Sequence, residues 1–288
     1  MTEQVWTVKS ALDWCIDFLA SKGDEHPRRS AEWLLSAATG LSRVEVYAHH
    51  DRPLSPAESS SLRDGVSRRA TGEPLQYVTG EVAFRHLVLT VKRGVLIPRP
   101  ETEVLVGEAL RVLEGVEAPL VADPCTGSGA VALSIAYEHP GAHVWATDLA
   151  PLAVEAAIDN AGRLGLSDAV DVAVGDLLSP LPERLRGRID VVVSNPPYIP
   201  TSDLSSLPAE VAGFEPVLAL DGGQDGLEVF RRLATDALEW LTEGGSLLVE
   251  LDEGRVRTAA EEAVQWYKNV SVVKDLTGRE RVLVASRG

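Results

Sequence analysis

Asn195-Pro196-Pro197-Tyr198 is the stretch whose residue types most directly suggest chemistry. Two consecutive prolines fix φ and donate no N–H, so the Pro196 carbonyl and the Asn195 side chain can be held as a rigid pair of acceptors. An NH2 group normally feeds its lone pair into an adjoining carbonyl or ring. Two acceptors gripping its hydrogens draw it towards tetrahedral geometry and free that lone pair for attack. Tyr198 adds a flat apolar wall for a planar group. The plain alternative is a rigid turn that stops a strand.

Three further stretches suit a nucleotide-like ligand. An apolar run leads into Asp123-Pro124-Cys125-Thr126-Gly127-Ser128-Gly129 and then a helical segment, Ala130 to Glu138. Glycines at such a turn let a ligand approach the backbone, and the helix N-terminus meets it with free N–H groups. Thr147-Asp148 follows about 20 residues beyond the glycines, where a carboxylate can accept from both ribose hydroxyls, a spacing shared by NAD and S-adenosylmethionine sites. Gly175-Asp176-Leu177 ends a third run, where Asp176 and Leu177 would lie beside an adenine. The bland readings are a tight turn for the glycines and a surface loop for Asp148.

These stretches need a scaffold that delivers strand ends to one edge. Short apolar runs at 120–122, 144–146, 170–174, 189–193, 246–251, 270–273 and 282–285 alternate with helical patterns. That alternation, with strands apolar on both faces, predicts an α/β fold with a doubly wound, mostly parallel seven-stranded sheet, whose ligands bind at the carboxyl ends of the strands. Ahead of it, Val8, Leu12, Cys15, Ile16 and Leu19 recur at helical spacing, and similar patterns fill 28–38, 42–49 and 56–70, punctuated by Pro27, Gly40, Pro53, Pro56 and Gly72. These predict a small all-helical bundle. Between 76 and 97, Val78, Val82, Phe84, Leu87, Leu89 and Val91 alternate around Arg85-His86, which predicts a linking β-hairpin. The expected domains are therefore 1–73, 74–97 and 98–288, and 288 residues with 45% hydrophobic content suffice for one large and one small core.

Composition narrows the partners. The net charge is −16, concentrated beyond residue 91, and such a surface repels a phosphate backbone unless a basic patch offsets it. No direct nucleic-acid binding is expected. No apolar run is long enough to span a membrane, and Glu3, Lys9, Asp13 and Asp17 interrupt any signal-peptide core, so a cytoplasmic protein without membrane attachment is expected. Two cysteines, Cys15 and Cys125, and six unclustered histidines predict no metal site.

The tetrapeptide Asn195-Pro196-Pro197-Tyr198 after a fourth strand resembles that of amino-methyltransferases acting on adenine N6 or glutamine amides, and Asp123 to Gly129 is similar to their S-adenosylmethionine loop. Gly72-Glu73-Pro74-Leu75-Gln76-Tyr77, the run Gly94-Val95-Leu96-Ile97-Pro98-Arg99-Pro100-Glu101-Thr102-Glu103, and Glu215-Pro216 to Leu220-Asp221-Gly222-Gly223 look like the HemK-type release factor glutamine methyltransferases, the PrmC family. The likeness spans nearly the whole chain. It implies the class I S-adenosylmethionine-dependent methyltransferase fold and S-adenosyl-L-methionine as cofactor, leaving as S-adenosyl-L-homocysteine. The implied substrate is the glutamine of the Gly-Gly-Gln motif in class I peptide chain release factors, converted to N5-methylglutamine by a monomer.

Carried over residue by residue, the resemblance places Cys125, Thr126, Gly127, Ser128, Gly129, Asp148, Asp176, Leu177 and Asn195 at the cofactor. Asn195, Pro196, Pro197 and Tyr198 surround the substrate, with Asn195, Pro196 and Tyr198 in the catalytic roles. The chain departs from the family pattern at Pro124, usually leucine, at Cys125, usually glycine, and at Leu177, often aromatic. Glu101 and Glu250 could line the site or serve as ion-pair partners. An N6-adenine methyltransferase shares the tetrapeptide logic but calls for a basic strip. An NAD oxidoreductase calls for Gly-x-Gly-x-x-Gly, whereas Gly129 is followed by Ala130-Val131-Ala132. A non-enzymatic binding module is the third alternative.

Overall fold

A computed structural model describes residues 6–288. The chain divides into two compact units, one formed by the chain up to Glu81 together with Pro208–Phe214, the other by Val82–Leu207 and Glu215–Gly288.

The first unit is helical: α1 (Val8–Ser21), α2 (Pro27–Thr39), α3 (Arg43–Ala48), α4 (Pro56–Ala70) and α5 (Leu75–Thr79). Capping boxes start three of them. Thr7 with Ser10, Ser42 with Glu45, and Ser55 with Glu58 each exchange side-chain and backbone bonds that satisfy orphan N–H groups of the first turn. Val8, Leu12, Cys15 and Leu19 of α1 meet Leu34 and Leu35 of α2 and Leu62 and Val66 of α4 in one core. A later segment joins this unit, because Glu210 pairs with Arg69 at 3.1 Å; the short helix that carries Glu210 comes after the sheet has begun.

The hairpin is shorter than the sequence predicts. Its strands are β1 (Glu81–Phe84) and β2 (Leu87–Thr90), while Val78 lies on α5 rather than in a strand. Pro74 starts that single turn and Gly80, in the left-handed conformation, ends it, so the expected strand from 76 is corrected to a helix. Arg85-His86 forms the turn as expected, with Arg85 at φ 49.

The second unit continues with α6 (Thr102–Val112), β3 (Leu120–Pro124), α7 (Ala130–Glu138), β4 (His143–Asp148), α8 (Pro151–Leu164), β5 (Val170–Val174) and β6 (Ile189–Ser194). After the segment carrying α9 (Ala209–Ala212) come α10 (Glu228–Trp240), β7 (Leu241–Glu250), α11 (Val256–Ala263), β8 (Lys268–Lys274) and β9 (Glu280–Ser286). The seven strands lie in the order β5-β4-β3-β6-β7-β9-β8. All pairs are parallel except those of β9, which runs antiparallel to both β7 and β8.

Both faces are buried, which explains the near-continuous apolar strands. Val121, Val144, Val191, Val193 and Leu248 pack with α6 and α7 on one face. Ala122, Val192, Leu247 and Val249 pack with Phe230, Leu233 and Ala259 of α10 and α11 on the other. Strand order reverses between β3 and β6, the switch point at which open α/β sheets leave a crevice for ligands. No described helix is long and apolar enough to cross a membrane.

Candidate active site

β3 ends where its chain must turn sharply into α7. Cys125 there has φ 63, in the left-handed region that side chains rarely adopt, so the position is one where glycine would be unstrained. Its thiol is pushed up from the ordinary value, mainly by burial and further by the Asp148 carboxylate. Gly127, also at positive φ, has open space where a Cβ would stand, so the turn lies bare to the cavity. Gly129 serves packing instead, since a Cβ there would lie 2.9 Å from Leu133 Cδ1 and 3.2 Å from Ala157 Cβ.

Beneath the turn sits Asp123. Its Oδ2 accepts from Thr126 Oγ1 at 2.6 Å and from the Ala132 N–H at 3.1 Å, while Oδ1 is buried without a hydrogen bond. Burial outweighs those two bonds and pushes the carboxyl up to about 7.

The ends of β4 and β5 face the same cavity. Asp148 Oδ2 accepts from the Gly127 N–H and Oδ1 from the Ala150 N–H, each at 2.9 Å, so the carboxylate is fixed in place with lone pairs left over. Its pKa is raised, chiefly by burial. Asp176 pairs with Arg232 at 2.5 Å. Leu177 is nearly buried at φ 47, and its carbonyl accepts from Thr147 Oγ1 at 2.5 Å. Buried Asn160 on α8 ties the turn down, donating to the carbonyls of Ser128 and Thr90 at 3.0 Å each.

β6 delivers the tetrapeptide. Ser194 Oγ donates to the Pro124 carbonyl at 2.6 Å, locking the β6 end to the β3 end. Asn195 Nδ2 donates to Thr102 Oγ1 at 3.1 Å, which leaves Oδ1 as the acceptor open to a ligand. Beyond the prolines, the Ile199 N–H donates to the Leu220 carbonyl at 2.9 Å and the Gly222 N–H to the Ile199 carbonyl at 2.8 Å, so the 220–226 loop braces this segment from behind. Burial raises the Tyr198 phenol.

A cavity of about 300 Å³ unites these ends. Of the residues expected at the cofactor, Cys125, Thr126, Gly127, Ser128, Asp148, Asp176, Leu177 and Asn195 line it, together with Pro197. Gly129, Pro196 and Tyr198 lie outside its lining, and the Pro196 ring is buried.

The lining also includes residues to which the sequence analysis gave no role: Arg99 and Thr102 from the Gly94–Glu103 run, and Arg232 on α10. Arg99 pairs with buried Glu215 at 2.5 Å. Only the quoted motif runs hinted at the first two. Asp148 and Asn195 thus line one cavity. No group of three or more histidine, cysteine or acidic side chains able to hold a metal ion occurs among the described residues.

Residues 10–80 match the family "PrmC N-terminal domain", and residues 102–207 match "Methyltransferase small domain". A release factor glutamine methyltransferase of Geobacter sulfurreducens is 46% identical over 260 residues, covering 90% of this chain and 89% of that protein. One from Moorella thermoacetica is 44% identical over 284 residues, covering 98% and 99%. Among solved structures, the hMettl16 catalytic domain in complex with MAT2A 3′UTR hairpin 6 is 18% identical and covers 78% of this chain and 82% of that one, with a TM-score of 0.55, a likeness of fold alone.

Proposed function

This chain belongs to the release factor glutamine methyltransferase family, and from that premise we propose that it methylates the side-chain nitrogen of the glutamine in the Gly-Gly-Gln motif of class I peptide chain release factors. The observation that carries this reading is Asn195 at the end of β6, on the cavity wall, with Nδ2 already taken by Thr102. An acceptor oxygen on the wall of this cavity suits an NH2 nucleophile.

S-adenosylmethionine, when bound, supplies a methyl group on a sulfonium sulfur and departs as S-adenosylhomocysteine. Asp148, with lone pairs to spare, would accept from the ribose hydroxyls, Asp176 and Leu177 would border the adenine, and the turn from Cys125 to Gly129 would hold the remainder, chiefly through Cys125, Thr126, Gly127 and Ser128. Asn195 Oδ1 and the Pro196 carbonyl each accept one N–H of the substrate carboxamide, and Pro197 and Tyr198 flank its plane. Held in this way, the amide nitrogen would be presented to the methyl group that the cofactor supplies and would give up one proton to solvent, and such pre-alignment can provide much of the acceleration without a strong base.

The helical unit is the part assigned to recognising the protein substrate. The acidic balance of the chain favours a basic partner surface over nucleic acid. Incubation with labelled S-adenosylmethionine and either a class I release factor or duplex DNA tests the reading. Label should enter the release factor and not the DNA, and the opposite distribution overturns it.

A further inference from the structure

The 220–226 loop meets the tetrapeptide segment through backbone bonds at its near end, the Ile199 N–H to the Leu220 carbonyl at 2.9 Å and the Gly222 N–H to the Ile199 carbonyl at 2.8 Å. A loop held at one end still pivots. Two arginines hold its far end. Arg231 on α10 donates to the Asp225 carboxylate at 2.7 and 3.1 Å, whereas Arg255, just ahead of α11, donates from Nε to the Asp225 carbonyl at 3.1 Å.

Arg255 also reaches the chain on the other side of the tetrapeptide. Its Nη2 lies 3.5 Å from Asp203 Oδ2, in the turn Thr201–Ser206 that follows Tyr198. A Cβ added at Gly226 would run into the Tyr198 carbonyl oxygen and would come within 2.6 Å of Arg255 Nε. Arg255 and the tetrapeptide backbone therefore meet at Gly226 with room for a hydrogen only. The guanidinium is itself anchored, because Asp252, just past the end of β7, accepts from Nη1 through Oδ2 and from the Arg255 N–H through Oδ1 at 3.0 Å. A planar guanidinium directs its donors along fixed lines, so one side chain can join a carbonyl and two carboxylates where a point-charge ammonium cannot.

We infer that Arg255 is a positioning residue for methyl transfer, clamping the chain behind and beyond Tyr198 to the end of β7 so that Asn195 and Pro196 keep their places. It lies outside the cavity lining and acts through Gly226 and Asp203. This inference rests on the reading that the tetrapeptide grips the substrate amide. Arg231 still holds the Asp225 carboxylate without it, and Thr201 Oγ1 still donates to Asp221 at 2.7 Å, so loss of Arg255 loosens the loop without detaching it. The result is a misplacement of a fraction of an ångström, worth about tenfold in rate.

Two readouts on the full chain test this, with circular dichroism to check the fold of each variant. The first needs no substrate: amide hydrogen exchange of the cofactor-free protein, followed by mass spectrometry of fragments covering 195–203 and 217–227, which carry the Ile199 and Gly222 N–H groups. R255M, which keeps an apolar stem and removes every donor, should speed exchange of these fragments about tenfold while fragments of β3 and β4 keep wild-type rates. The second is methylation of an intact class I release factor at saturating cofactor. R255M should lower kcat about tenfold, with release-factor KM and cofactor Kd within about threefold. R255K, which restores the charge and a donor to Asp252, should return kcat to within about threefold of wild type. D252N still accepts the Arg255 N–H but no longer anchors the guanidinium; it should move both readouts in the same direction and decides the matter if R255M does not fold. Unchanged exchange in the folded variant overturns the clamp. Faster exchange with kcat within about threefold of wild type, a loss in cofactor Kd rather than kcat, or an R255K no faster than R255M overturns the positioning role. A wild-type chain that methylates no release factor overturns the functional reading and the positioning role with it, and the exchange result then bears on the clamp alone.

Discussion

Gly222 stands directly behind the tetrapeptide, and replacing it with alanine probes how closely that segment must be held. A Cβ at Gly222 would lie 2.7 Å from Tyr198 Cα, 2.8 Å from the Pro197 carbonyl oxygen and 2.8 Å from the Gly226 carbonyl oxygen. All three are backbone atoms, so no flexible side chain can swing aside. Ordinary contact begins at 3.4 Å, which leaves a shortfall of about 0.7 Å at Tyr198 that the Pro197–Tyr198 backbone or the 220–226 loop must absorb. Overpacking of this kind costs about 1–3 kcal/mol of stability. A misplacement approaching 1 Å at a reacting group costs up to about 10²-fold in rate. Gly222→Ala should accordingly lower the single-turnover methylation rate about 10- to 100-fold. A folded variant whose kcat stays within about threefold of wild type would refute the claim that this loop sets the position of the tetrapeptide.

Asn195→Ala removes one of the two acceptors, and a neutral hydrogen bond of at least about 1 kcal/mol predicts at least a fivefold loss of kcat; transfer within about twofold of wild type in a folded variant contradicts the acceptor pair. Asp123, pushed up to about 7 in the fold, binds more protons folded than unfolded between about 4 and 7, so its burial erodes stability as pH rises through that window and the full penalty stands above it. Asp123→Asn should therefore raise the Tm of the cofactor-free chain at about pH 8 and change it little near pH 4; a gain confined to acid pH would contradict this. Phe230, 0% exposed on α10, anchors one face of the sheet. Phe230→Ala should cost about 3–5 kcal/mol in urea unfolding, and a loss under about 1 kcal/mol would show that the core closes over the gap.

What could be read from the residues in advance was whatever depends on local order. Helix α4 runs from Pro56 to Ala70 as its spacing predicts, because Ser55, Pro56 and Glu58 write its start into consecutive positions. The carboxyl ends of β3, β4, β5 and β6 were legible for the same reason, each being a short apolar run with its cavity-lining residues immediately after it. Val78 misled because a five-residue helix and a strand present the same few apolar positions, and only the Pro74 and Gly80 dihedrals separate them.

Three features depend on distant pairings and left no local trace. β9 inserts between β7 and β8 against the parallel trend. Pro208–Phe214 returns to the helical unit through Arg69 and Glu210. Thr102 meets Asn195 across 93 residues of sequence. Cys125 and Leu177 show the converse. Their types argue for ordinary backbone, yet the turns at the ends of β3 and β5 require positive φ, and the fold imposes it.

The most direct test of the account is tandem mass spectrometry of an intact class I release factor after incubation with this protein and S-adenosylmethionine. One added methyl, localised to the side-chain nitrogen of the glutamine in the Gly-Gly-Gln motif and absent without cofactor, is the predicted result. An unmodified glutamine, or a methyl on any other residue, would contradict it.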